Sequence, residues 1–278
     1  MRVGFIGFGE VASTLARGLM GEGVEVYTCL EGRSVRTKEL ARSMDVQLCS
    51  NNQEMAKKAE MIFSAVTPSQ AVLVARELDH IQGVYVDLNN VSPATVKEAL
   101  KNVGSSDTVD AAILGSVQRN GLKVKIIASG AGAEEFEKLN GYGMNIEVIG
   151  SEPGQASAIK MLRSAYTKGV SALLLESLHA AYRMGIDEEV LKYISQTEGP
   201  DFKESAVSRM TSSFYHARRR SEEMEEVVKM LSALTEPFMS KATLESLVAL
   251  ADKLGKLDKR PANMHQLFQK LDKPDHQG

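Results

Sequence analysis

The sharpest constraint in this sequence lies in its first twelve residues. An apolar run, Arg2–Ile6, ends in Gly7-Phe8-Gly9-Glu10-Val11-Ala12, where an amphipathic helical pattern begins. G-x-G-x-x-A at a strand-to-helix turn has a physical logic. The first glycine takes the tight turn and the second lets a pyrophosphate approach the backbone. The small third residue lets helix and strand pack closely, while the helix amino terminus offers N–H donors to the anion. The spacing predicts that Gly7, Phe8, Gly9, Glu10, Val11 and Ala12 line a dinucleotide. A glycine-rich turn that holds nothing is the plain alternative.

The first half of the chain continues the same rhythm. Strands are expected at Val24–Leu30, Val46–Cys49, Met61–Val66, Val84–Leu88, Thr108–Ile113, Lys123–Ala128 and Ile146–Ile149, after the first at Arg2–Ile6. Several are apolar throughout, as parallel strands covered on both faces are. Ser50-Asn-Asn-Gln53 and Thr67-Pro-Ser-Gln70 fit capping boxes, and Ser92-Pro93 puts proline at a first helical position. Beyond residue 152 nearly everything carries helical periodicity. Helices are expected at Gly154–Met184, Asp187–Thr197, Phe202–Arg220, Ser221–Leu234, Phe238–Leu254 and Pro261–Leu271. Arg218-Arg-Arg220 then falls at a helix carboxyl end, where cations suit the dipole, and Lys273–Gly278 reads as frayed. The expected fold is an α/β Rossmann domain over residues 1–152, with a doubly wound, mostly parallel sheet, followed by an all-α domain over 153–278.

Composition excludes several classes. With 278 residues and 43% of them apolar, the chain can bury a core without disulfide or metal staples. A formal net charge of -3 argues against a nucleic-acid binder. Cys29 and Cys49 are too few for a disulfide framework. His80, His179, His216, His265 and His276 lack metal-ligand spacing, so no metal is expected. No apolar stretch is long enough to span a membrane, and glycines and Glu10 break the amino-terminal run, so no signal peptide is read there. A reduced, cytoplasmic, soluble protein is expected.

The end of the second strand bears on the cofactor. A carboxylate there would bind the ribose 2′-hydroxyl of NAD, and an arginine the 2′-phosphate of NADP. The chain has Glu31, then Gly32-Arg33-Ser34-Val35-Arg36-Thr37. Arg33, Ser34 and Arg36 suit a dianionic phosphate, because guanidinium forks bind its oxygens in pairs. NADP is therefore the expected cofactor.

Val3-Gly-Phe-Ile-Gly-Phe-Gly-Glu-Val-Ala12, Ser64-Ala-Val-Thr-Pro68, Asp87-Leu-Asn-Asn-Val-Ser-Pro93 and Gly154-Gln-Ala-Ser-Ala-Ile-Lys160 occur in that order. Together they resemble the β-hydroxyacid dehydrogenase superfamily, which includes the 3-hydroxyisobutyrate and 6-phosphogluconate dehydrogenases. The resemblance implies a homodimer with its active site between a Rossmann and a helical domain. By matching motif it puts Val66, Thr67, Pro68, Asn89 and Asn90 beside the cofactor and makes Lys160 the catalytic lysine. Arg163 nearby and partial burial would lower the Lys160 pKa toward working pH. Ser92, Gly115, Ser116, Ser164 and Lys168 are the candidate substrate contacts. Two departures stand out: Leu114-Gly115-Ser116 replaces a Ser-Gly-Gly segment, and Ser164 replaces the usual asparagine. A dimer is also suggested by Leu173, Leu174, Leu175, Leu178 and Ala181 on the long helix. The expected activity is NADP-dependent hydride transfer to or from a small hydroxyacid-like or carbonyl substrate. A non-catalytic NADP sensor and an imine reductase are the alternatives.

Overall fold

A computed structural model describes residues 1–78, 81–199, 201–254 and 259–272. His80, His276, Pro200 and the tail Lys273–Gly278 lie outside the described residues. Eight strands form one sheet: β1 (Arg2–Ile6), β2 (Glu25–Cys29), β3 (Gln47–Cys49), β4 (Met61–Ser64), β5 (Val84–Asp87), β6 (Thr108–Ile113), β7 (Lys125–Ser129) and β8 (Asn145–Gly150). Their order is β3-β2-β1-β4-β5-β6-β7-β8. Every neighbouring pair is parallel except β6 with β7. The connecting helices are α1 (Glu10–Gly21), α2 (Val35–Arg42), α3 (Asn52–Lys58), α4 (Ala71–Arg76), α5 (Pro93–Asn102), α6 (Val117–Asn120) and α7 (Ala133–Glu137). This is the doubly wound sheet expected from the sequence. The strand order reverses between β1 and β4, and the Gly7–Ala12 turn opens at that switch point.

Both faces of the sheet are buried, which explains the unbroken apolar strands. One face carries an aromatic chain in edge-to-face contact: Phe8 on Phe5, Phe5 on Phe63 and Phe63 on Phe136, with centroids 6.1, 5.1 and 5.5 Å apart. The other face buries Ile6, Met55, Ile62 and Tyr85. Each such ring or branched chain contributes roughly 1.5–3 kcal/mol relative to exposure.

Beyond the sheet come α8 (Gln155–Arg183), α9 (Asp187–Glu198), α10 (Phe202–Tyr215), α11 (Ala217–Ser232), α12 (Phe238–Leu254) and α13 (Met264–Leu271). The chain forms two compact units, 1–161 and 162–278, and the division falls inside α8. The second unit has its own core, with Leu178, Leu191, Met210, Phe214, Leu267 and Phe268 buried. His179 stacks on Phe268 there and bonds Asp272 at 2.9 Å, a packing role.

Several local expectations are corrected. Asn51, not Ser50, caps α3, accepting from Glu54 N, while the Glu54 carboxylate turns back to Ser50 N. Thr67 opens a short 3₁₀ turn without a side-chain cap. The break expected after Arg220 occurs at His216, so Arg218–Arg220 lie in the first turn of α11 rather than at a carboxyl end. Side-chain partners outweigh the dipole there: Arg218 meets Asp252, Arg219 meets Glu223, and Arg220 reaches the hydroxyls of Ser212 and Ser213. Leu174, Leu175, Leu178 and Ala181 are buried within the chain, leaving only Leu173 of that group exposed. They offer no surface to a second copy. Other apolar residues of α8 are exposed instead: Ile159, Leu162 and Tyr166.

Candidate functional site

Gly7 has φ +85°, and a Cβ there would come within 2.4 Å of the Ala65 carbonyl oxygen, so only glycine fits the turn. At Gly9 an added Cβ would meet nothing within 4 Å. Gly9 is the N-cap of α1 and supplies no side chain to the helix's first N–H groups. The space above it is open and lined by donors. Ala12 is buried against the sheet, as its small size allows, and Phe8 is buried in the aromatic chain. The motif therefore offers an anion its backbone, not the Phe8 ring, and a pyrophosphate fits this cradle.

At the end of β2, Gly32 turns with φ +66°, and α2 starts three residues later. Ser34 caps α2, accepting from Thr37 N at 3.3 Å with the two hydroxyls 3.0 Å apart. The Arg33 Nε is buried without a hydrogen-bond partner among the described residues. A buried guanidinium N–H in want of an acceptor fits a phosphate oxygen. Arg36 is exposed in the first turn of α2, and Glu31 is exposed as well.

The segments after β4 and β5 are tied to each other. Asn89 is buried, accepts from Val66 N at 2.7 Å, donates to Ser64 Oγ at 3.0 Å, and donates its own N–H to Asp87 Oδ1 at 2.8 Å. It is a clasp between two strand ends rather than an ordinary turn residue. Asn90, Thr67 and Pro68 are exposed. Ser92 and Ser116 both spend their hydroxyls as helix caps, on Thr95 N and Arg119 N. Gly115 is exposed, with φ +157°.

A row of polar side chains crosses the sheet in register, and sequence reasoning did not single it out. Ser64 of β4 pairs with Asp87 of β5, Asp87 with Asp110 of β6, and Asp110 with Ser129 of β7. All four are at most 1% exposed. Asp110 accepts from Ser157 N at 2.9 Å and Ser157 Oγ at 2.6 Å, and Ala156 N donates to Ser129 Oγ at 3.2 Å. The sheet thus caps the first turn of α8. Burial pushes the Asp87 carboxyl up to about 6, the neighbouring Asp110 adds to the rise, and Asn89 and Lys160 oppose it. Burial raises Asp110 too, against the hydrogen bonds of Ser157. A signal was present in the sequence: otherwise apolar strands each carry one serine or aspartate.

Lys160 follows Ser157 by three residues on α8, half-buried and within the field of Asp87. That carboxylate favours the charged ammonium, an influence opposite in sign to that expected of Arg163. Ser164 and Lys168 lie in the second unit. Lys168 is buried, and its ammonium is held by Glu223 at 2.9 Å. Burial lowers its pKa against the pull of Glu223.

A nucleotide-type sheet with an open glycine cradle, followed by helices that begin with one long helix, is the architecture of the β-hydroxyacid dehydrogenase class. Comparison with known proteins agrees. Residues 2–91 match the family of coenzyme F420-dependent NADP oxidoreductases, and residues 181–250 match a domain of unknown function, DUF1932. A 28.5 kDa protein of Methanothermus fervidus, uncharacterised and from the 7S RNA 5′ region, is 44% identical, covering 87% of this chain and 96% of its own. The conserved protein MTH1747, whose solved structure reveals similarity with 3-hydroxyacid dehydrogenases, is 54% identical with a TM-score of 0.83, over 91% of this chain and 97% of that one. The 2-(hydroxymethyl)glutarate dehydrogenase of Eubacterium barkeri is 27% identical over 70% of this chain and 68% of its own. The chain belongs to the β-hydroxyacid dehydrogenase superfamily, in the branch that holds the Methanothermus fervidus protein and MTH1747. Among the described residues no helix is long and apolar enough to cross a membrane.

Proposed function

We propose that this protein is an NADP-dependent dehydrogenase that acts at a CH–OH carbon, or the matching carbonyl, of a small hydroxyacid-like substrate. The observation that carries the reading is the position of Lys160, on the first turns of α8 and within the field of Asp87 at the carboxyl end of β5. The glycine cradle opens at the same end of the parallel strands. The dehydrogenase relative from Eubacterium barkeri supports the reaction class. Gly7, Gly9 and the amino terminus of α1 would hold the pyrophosphate, and Arg33 with Arg36 the 2′-phosphate. Bound there, NADP supplies the hydride acceptor or donor. Lys160 takes the hydroxyl proton in oxidation and returns it to the oxygen in reduction. Residues 1–152 form the nucleotide-binding part, with the helical remainder serving substrate binding and homodimer formation.

A panel of small hydroxyacids and their carbonyl counterparts, followed by NADPH absorbance, tests the reading. With a turned-over substrate in hand, Lys160→Met should lower turnover at least about 10²-fold, the scale of general acid–base catalysis. Unchanged turnover in that variant overturns the role of Lys160.

A further inference from the structure

We propose that the in-register row Ser64–Asp87–Asp110–Ser129 is the positioning device for Lys160: its Asp110–Ser129 end fixes the first turn of α8, and Asp87 holds the lysine's charge. The proposal rests on the reading of Lys160 as the proton-transfer group and assigns it the residues it acts through.

The geometry has two parts. Ala156 and Ser157 follow Gln155 in the first turn of α8, where N–H groups have no partner within their own helix. Both are met by the sheet, Ala156 by Ser129 Oγ and Ser157 by Asp110, with the Ser157 hydroxyl adding a 2.6 Å bond to the same carboxylate. A helix start clamped at two successive residues cannot turn about its axis, so the direction of Lys160, one turn on, is set by β6 and β7. The second part concerns charge. Asp87 uses Oδ1 for Asn89 N, while its Oδ2 is buried with no hydrogen-bond partner among the described residues. The bond from Asn89 N needs an acceptor at this position but not a charge, and the carboxylate is 1% exposed beside a second one. It destabilises the sheet unless a cation in its field makes use of it. Lys160 is in that field. The other charged groups near this start of the helix are the exposed Glu152 just before it, Asp110, Lys97 of α5, whose side chain lies against Gly154, and Arg163 further along α8. Of the two buried carboxylates, Asp110 is engaged by Ser157 and Ser129, which leaves Asp87 as the one whose charge is directed to the lysine.

The test needs neither substrate nor cofactor. The full chain is acetylated with trace acetic anhydride at stepped pH, and modification of Lys160 is read by peptide mass spectrometry against an exposed lysine, Lys203. Only the neutral amine reacts, so the profile reports how firmly Lys160 holds its proton. Asp87→Asn keeps the acceptor for Asn89 N and removes the charge. It should speed Lys160 labelling about tenfold at a fixed pH below the wild-type midpoint, with Lys203 unchanged. Asp110→Ala should raise hydrogen exchange in the peptide that begins α8 and alter Lys160 labelling, and Asp110→Asn should restore both. A purely structural role for the row would lower the melting temperature without moving the Lys160 profile. The proposal is overturned if the Lys160 profile is the same in wild type and Asp87→Asn. It is equally overturned if α8 exchange is indifferent to Asp110→Ala. Should Asp87→Asn fail to fold, the Asp110 pair still decides. NADPH titration of the wild-type chain is a separate readout. Failure to bind there would sink the functional reading and leave the labelling result standing.

Discussion

Two glycines two positions apart make opposite predictions. Gly7→Ala forces a Cβ onto the Ala65 carbonyl at positive φ, so it should lower stability by about 1–3 kcal/mol in urea unfolding. Gly9→Val puts its side chain into open space, so the melting temperature should barely move while NADPH binding is lost in fluorescence titration. Retained binding in Gly9→Val would rule the cradle out as the pyrophosphate site. Arg33→Ala should weaken NADP about ten- to a hundred-fold while barely touching NAD, because its orphaned Nε waits for a phosphate oxygen. Calorimetry with both dinucleotides decides, and equal losses for the two would assign Arg33 elsewhere. Asp87 makes a prediction about pH. Its folded carboxyl titrates near 6 against an ordinary 3.8, so the folded chain binds the extra proton between those values. Stability from this group therefore falls as pH rises from about 4 to about 6 and is flat above, by on the order of 3 kcal/mol. Measured as wild type minus Asp87→Asn across that window, the difference should slope downward. A flat difference would mean that burial does not raise this carboxyl.

At the scale of elements, what was legible in the sequence is what is encoded locally. The βα rhythm, the glycine turn and the Ser92 cap of α5 could be read from neighbouring residues. The start of α8 could not, since its caps Ser129 and Asp110 are 27 and 47 residues distant in sequence from the groups they receive. Arg218–Arg220 misled for a related reason: their partners Asp252, Glu223, Ser212 and Ser213 are set by packing, so the charges tolerate the wrong end of a helix dipole. Of the candidate site, the local part was legible: Gly7 and Gly9 make the strand-to-helix turn that their spacing predicts, and Lys160 lies early on the long helix. The partners of Ser92, Ser116 and Lys168 were not legible, and their polar groups are engaged in caps and an ion pair. Ser157→Ala deletes the 2.6 Å bond to a buried carboxylate and should cost about 1.5–3 kcal/mol. A thermal shift near zero would show that the Ser157 N–H alone suffices as the cap.

The whole molecule has no linker between its units, because the division falls inside α8. A fragment ending at residue 150 loses both partners of the Asp110–Ser129 end, while one ending at 161 keeps them. The longer fragment should melt several degrees higher, as three lost bonds to buried groups are worth a few kcal/mol. Equal melting temperatures would mean that the sheet does not depend on α8. The polar row also bears on how such a protein would evolve in the laboratory. A library selected for heat resistance alone should accumulate neutral acceptors such as asparagine at Asp87, because the bond from Asn89 N needs an acceptor but not a charge, and burial penalises the charge. Survivors of that selection would be tougher and poorer at their chemistry, so the residue that drifts first under heat marks where durability was given up for function.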